Sequence, residues 1–115
     1  MNANQKRCDA LWSLAIKARA GQKSELSGSP KNLRAHHVFQ KGNLLLRYSL
    51  DNGICLTESE HTAAHSTVAG KARVHRTLTP ETIEALSLLK FKICTDMDWD
   101  SLEKSLKSAI KEFEA

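Results

Sequence analysis

Apolar residues recur at three- and four-residue spacing from about Ala3 to Ala20, where Cys8, Leu11, Trp12, Ala15 and Ala18 share a face. That spacing predicts a helix with Gly21 as its C-cap and Trp12 as a core anchor. The stretch Gln22 to Asn32 carries Ser, Gly and Pro and reads as a loop. A short strand is expected at Leu33 to Val38, ending in the polar run Gln40-Lys41-Gly42-Asn43. Leu44 to Tyr48 reads as a buried segment whose type the pattern leaves open. Asp51-Asn52-Gly53 is a turn signal, and Ile54-Cys55-Leu56 then reads as a second short strand. Thr57-Glu58-Ser59-Glu60 has the form of a capping box, which starts a helix continuing to about Val68. A basic connector with Gly70, Lys71, Arg73, His75 and Arg76 follows. Thr79-Pro80 puts proline at a first helical position, and Ile83, Leu86, Leu89 and Ile93 share a face beyond it. Asp100, with Glu103 at N3, is expected to cap a last helix striped by Leu102, Leu106, Ile110 and Phe113.

This order describes an α+β chain, mainly helical, forming one domain over residues 1–115. A strand–loop–strand–helix unit occupies about 33–68, preceded by the N-terminal helix and followed by a helical extension at about 79–115. Such a length supports a modest core, which a bound metal can usefully reinforce. With 41% hydrophobic and 26% charged residues the composition is that of an ordinary globular protein. No apolar run approaches a membrane span, and Leu11 to Ile16 is too short and broken for a signal segment. A cytoplasmic protein with no membrane partner is the expectation. Three scattered cysteines, Cys8, Cys55 and Cys94, exclude a fully paired disulfide framework and a cysteine-based zinc site. Charge is uneven: residues 1–50 hold nine basic and two acidic side chains, whereas residues 51–115 hold eight basic and eleven acidic. A basic half beside a mildly acidic half suits a protein that binds a polyanion through one face.

Four of the five histidines, His36, His37, His61 and His65, fall within thirty residues. On a helix, His61 and His65 project from one face one turn apart, as two ligands of a divalent transition metal do. Two solvated histidines give the same spacing, so the pair needs support. His36-His37 on a strand supplies it, because adjacent strand residues point to opposite faces. One of them can then join the helix pair while the other does different work. Three protein nitrogens with an open position are the pattern of a catalytic metal rather than a structural one. A zinc-protease site needs Glu directly after the first helix histidine, and here Thr62 stands there.

The run Ala35-His36-His37-Val38, then Asp51-Asn52-Gly53-Ile54, then His61 and His65, resembles the HNH, or ββα-metal, nuclease motif. Its intervals, fifteen residues from His37 to Asn52, nine to His61 and four to His65, are similar to those of the DNase colicins. The surroundings, Leu33 to Asn43 and Arg47 to Asn52, look closer to small stand-alone phage and prophage HNH proteins of the recombination-nuclease kind. The resemblance covers roughly residues 20–66. Many stand-alone members carry two CxxC pairs that bind a structural zinc. The corresponding places here look like Ser24-Glu25-Leu26-Ser27 and Thr57-Glu58-Ser59-Glu60, so no structural zinc is expected.

The resemblance implies an endonuclease that hydrolyses DNA phosphodiester bonds, by nicking or double-strand cleavage, with double-stranded or branched DNA as partner. His36, His61 and His65 would hold one divalent ion (Zn, Ni, Mg or Mn) that contacts a phosphate oxygen and the departing 3′ oxygen. His37 would be the general base for the attacking water. Asn52 would tie the loop between the strands so that a backbone carbonyl orients His37. The products would carry 5′-phosphate and 3′-hydroxyl ends. Arg34, Lys41, Arg47, Lys71, Arg73 and Arg76 are candidates for phosphate contacts, while His75 reads as solvated and Tyr48 as core. Two other readings accompany this one: an inactive HNH-fold nucleic-acid-binding module, and a bacterial toxin-type DNase.

Overall fold

The computed structural model describes residues 2–40 and 42–115. Helix α1 (Ala3–Arg19) begins at a capping box in which Asn2 accepts from the Gln5 amide. Its C-cap is Ala20, and Gly21 follows one residue later with φ +68°, the left-handed position that ends many helices. Strand β1 (Leu33–His37) pairs antiparallel with β2 (Gly53–Thr57), placing His36 opposite Ile54 and His37 opposite Gly53. Between them lie the short helix α2 (Leu44–Tyr48) and a 3₁₀ turn at Leu50–Asn52. Helix α2 thereby settles the segment whose type the pattern leaves open.

Helix α3 (Glu58–Ser66) starts directly from β2 through the expected capping box: Thr57 Oγ1 accepts from the Glu60 amide, and the Glu60 side chain accepts in return. It ends before Val68, because Thr67 caps a separate helix α4 (Val68–His75). The segment expected to be a basic connector is therefore a helix. Gly70 is not a breaker there. A Cβ at this position would lie 2.3 Å from the Ala63 carbonyl oxygen, so glycine permits the close α3–α4 corner. Helix α5 (Pro80–Leu89) has Pro80 in its first turn and buries Leu86, but it stops before Ile93, which is 89% exposed. The cap of the last helix α6 (Trp99–Glu114) is Asp98, which accepts from the Ser101 amide. Asp100 sits in the first turn instead. Among the described residues no helix is long and apolar enough to cross a membrane.

The two-stranded sheet is apolar on both faces, and its alternation decides where each histidine goes. Leu33, Ala35 and Cys55 face one side, where they pack with Cys8, Trp12 and Ile16 of α1, Tyr48 of α2 and Leu106 of α6. Ile54 and Leu56 face the other, with Ala64 of α3 and Val74 of α4. At Gly53 α1 packs directly on the strand, since a Cβ there would lie 2.3 Å from Ile16 and 2.7 Å from Trp12. Arg19 ties the same helix to the turn before β2, donating to the carbonyls of Leu50 and Gly53 at 2.7 and 2.6 Å. The result is an α+β, mostly helical protein whose small hairpin is clamped between helix pairs.

Candidate metal and catalytic centre

His36 is an even-numbered residue of β1 and so lies on the face covered by α3 and α4. It is 7% exposed. His61 and His65 reach it from one side of α3. The three rings stand nearly perpendicular to one another, with centroids 4.5 to 5.1 Å apart. One nitrogen from each lies within 4.8 Å of the others, and the Nε2 atoms of His61 and His65 are 3.1 Å apart. Two nitrogens bound to one tetrahedral zinc, each at about 2.0–2.1 Å, would be roughly 3.3 Å apart.

The chemistry of the donors also fits a cation. His36 Nδ1 is buried without a hydrogen-bond partner, alone in this respect among the described residues. Such a nitrogen carries a desolvation cost unless something binds it. Burial, together with His61 and His65 nearby, pulls the His36 pKa down to about 4. Burial, His65 and Arg34 lower that of His61. A neutral imidazole is the form that ligates a metal, so protons compete weakly for the buried ligand at neutral pH.

His37 occupies the opposite face of β1, and there Trp12 receives it. The two rings stack in parallel, 3.9 Å between centroids and 6° between planes. The indole is itself held by a 2.9 Å bond from its Nε1 to the Ser49 carbonyl. His37 Nε2 lies 2.9 Å from the backbone oxygen of Arg47. A carbonyl can only accept, so Nε2 is the donor in that bond, and in the neutral ring the lone pair then belongs to Nδ1. Asn52 holds that carbonyl's segment in place. Fully buried, it donates from Nδ2 to the carbonyls of Phe39 and Leu46 at 3.1 and 2.9 Å and accepts from the Phe39 amide at 2.8 Å. The Arg47 side chain adds a brace, its Nε donating to Asp9 Oδ1 at 2.8 Å and its second nitrogen to Oδ2.

His36, His37, His61 and His65 all line one open cleft of about 850 Å³, together with Lys71 and His75 of α4. The structure thus brings together the three metal-ligand candidates and the candidate base. His75, which the sequence reading left in solvent, is exposed yet forms part of this wall, its ring edge-on to Phe39 at 5.6 Å. Only its place in a helix reveals that role. The arginines divide. Arg34 is 59% exposed near His61 and 3.5 Å from Glu58. Arg73 and Arg76 are exposed, with Arg73 lining a second, shallower cleft beside Glu58 and Ser59. Arg47 is held by Asp9 and only 16% exposed, so its charge faces a carboxylate within the protein. Lys41 lies outside the described residues.

Where the resemblance would place two CxxC pairs, a polar staple joins the same two segments. Ser24, 5% exposed, donates its hydroxyl to Glu60 and accepts from the amides of Leu26 and Ser27, each at 3.1 Å. Burial raises the Glu60 pKa, but the Ser24 hydroxyl and the Thr57 amide outweigh it and hold the carboxyl below its ordinary value. No protein-family model, curated protein or solved structure matches this chain.

Proposed function

We propose that this protein is a metal-dependent endonuclease of the HNH, ββα-metal kind, with the hairpin β1–β2 and helix α3 as its catalytic unit. One observation carries the reading: three imidazoles bring one nitrogen each within 4.8 Å of the others, and a fourth is oriented by a backbone carbonyl on the other face of the same strand. His36, His61 and His65 would hold one divalent cation. Bound there, it would polarise a phosphate oxygen and stabilise the charge that develops on the departing 3′ oxygen.

The chain's own groups do the rest. With Nε2–H donated to Arg47, His37 offers Nδ1 to take the proton of an attacking water. The Arg47 carbonyl also stabilises the imidazolium that results. Trp12 limits the ring to one orientation, and Asn52 keeps the carbonyl in register. Lys71 in the cleft wall and Arg34 near His61 supply positive charge for the flanking phosphates. Double-stranded or branched DNA in a cytoplasmic setting is the substrate this reading implies, leaving 5′-phosphate and 3′-hydroxyl ends.

The test is incubation of supercoiled plasmid with purified protein and Mg, Mn, Ni or Zn in turn, with chelator as control. Nicking that requires metal is expected. The His37→Ala variant should lose cleavage by about 10²–10⁴-fold or more while keeping metal and DNA binding. An absence of nicking with every metal would move the protein to the inactive binding-module class. Normal cutting by the variant would remove His37 as the base.

A further inference from the structure

A ledge beside the histidine cleft has chemistry that the proposed hydrolysis does not use. At and just beyond the end of α5, Leu88, Phe91 and Ile93 are 59%, 83% and 89% exposed, three large apolar side chains within six residues that the described residues leave uncovered. Lys90 and Lys92 interleave with it, and both are exposed. The turn is anchored: Asn43 Nδ2 donates to the carbonyls of Leu89 and Lys92 at 2.9 and 3.0 Å. Asn43 also caps α2, so the ledge is fastened to the loop that follows the β1 histidines. Lys90 Nζ lies over the Phe39 ring, 4.6 Å from its centroid, and Phe39 in turn meets the ring of His75, a residue of the cleft wall.

Ring and cation contacts therefore lead from His75 in the cleft through Phe39 to Lys90, and the next residue in the chain is the exposed Phe91. Apolar surface alone would fit many partners. An exposed aromatic ring with an exposed lysine on either side of it in the chain, one of them reaching to Phe39 beside the histidine cleft, fits a narrower class. Single-stranded nucleic acid offers both complements at nucleotide spacing, a base to stack and phosphates to pair. We propose that this ledge binds an unpaired stretch of nucleic acid leaving the cleft, with Phe91 stacking a base and Lys90 and Lys92 contacting phosphates. The inference deepens the nuclease reading and rests on it for the strand's path into the cleft.

The test is fluorescence anisotropy in chelator, where no strand is cut, with a labelled short oligothymidylate and a labelled duplex as probes. Phe91→Ala should weaken oligothymidylate binding about 5- to 100-fold and leave the duplex nearly unchanged, while Phe91→Tyr retains single-strand affinity. Lys92→Gln should lower the salt dependence of oligothymidylate binding by about 0.7 in log–log slope, one phosphate contact. Circular dichroism checks that each variant folds; exposed positions should tolerate these changes. Equal single-strand affinity of wild type and Phe91→Ala overturns the proposal. So does a Phe91→Ala variant that changes only self-association in sedimentation, which makes the ledge a contact between copies. Phe91-dependent binding by a protein that nicks no plasmid with any metal keeps the ledge and removes the nuclease. Metal-dependent nicking with Phe91-independent binding does the reverse.

Discussion

Asn52 is fully buried, and its amide satisfies three backbone groups from two segments that no ladder pairs. An Asn52→Ala variant leaves the Phe39 amide and the carbonyls of Phe39 and Leu46 without those partners. A loss of about 2–4 kcal/mol is expected in urea unfolding, together with slower cleavage, because the His37–Arg47 bond depends on the same loop. A loss below 0.5 kcal/mol would show that water replaces the amide. Tyr48 offers a different test, being the single tyrosine in the chain. Burial, then the Asp9 carboxylate, pushes its pKa up to about 12. A raised acid pKa means that the unfolded chain ionises first. Its stabilisation is therefore intact below pH 10 and lost as pH rises toward 12, by roughly 3 kcal/mol in total. Tyrosinate absorbance should rise together with unfolding. A simple titration centred at 10 in folded protein would contradict this.

At the scale of elements, the loop after α1 and the start of α3 are held by hydrogen bonds rather than by thiolates. Ser24→Ala removes the hydroxyl that bridges Glu60 to the Leu26 and Ser27 amides, and about 1–3 kcal/mol should be lost. Thermal unfolding measures this, and chelator should make the effect neither larger nor smaller. A second element-scale feature is the α3–α4 corner. It carries Lys71 and His75 to the cleft, and it exists because Gly70 lets the chain pass the Ala63 carbonyl. Glycine in a basic, polar stretch reads as a break when only local propensity is considered. Here the close contact outweighs propensity, and that is why α4 escapes sequence reading.

For the whole molecule, the cation candidate and the fold share their free energy. A ligand that binds only the folded state stabilises by mass action, about 2.7 kcal/mol at one hundred times its dissociation constant. Zn or Ni should therefore raise the melting temperature on the order of 10 °C, and chelator should reverse it. The pH dependence without metal follows from His36. Its folded pKa of about 4 lies below the ordinary value of 6.5, so the unfolded chain takes up the proton first as pH falls. Stability present above pH 6.5 is lost on the way down to pH 4, by roughly 3 kcal/mol. Urea unfolding of chelated protein across that range checks the sign. A His36→Asn variant should flatten the curve and abolish the metal-induced shift. A shift that survives the substitution would place the ion elsewhere.

Signals within one turn or one pleat were readable from residue order alone. The Thr57 capping box, a turn that takes in Asp51 and Asn52 and ends at Gly53 of β2, the one-turn spacing of His61 and His65 and the opposed His36 and His37 all follow from backbone geometry over a few residues. Backbone periodicity is local, so such patterns survive without knowledge of the fold. What faces each histidine was decided by packing. Trp12, read only as a core residue, becomes the stacking surface for His37 because α1 lies across the sheet at Gly53. Arg47 turns inward because Asp9 of α1 is there to receive it, and His75 joins the cleft because α4 folds back at Gly70. Those contacts join residues tens of positions apart, and their energies depend on burial and orientation, which no spacing in a linear chain encodes.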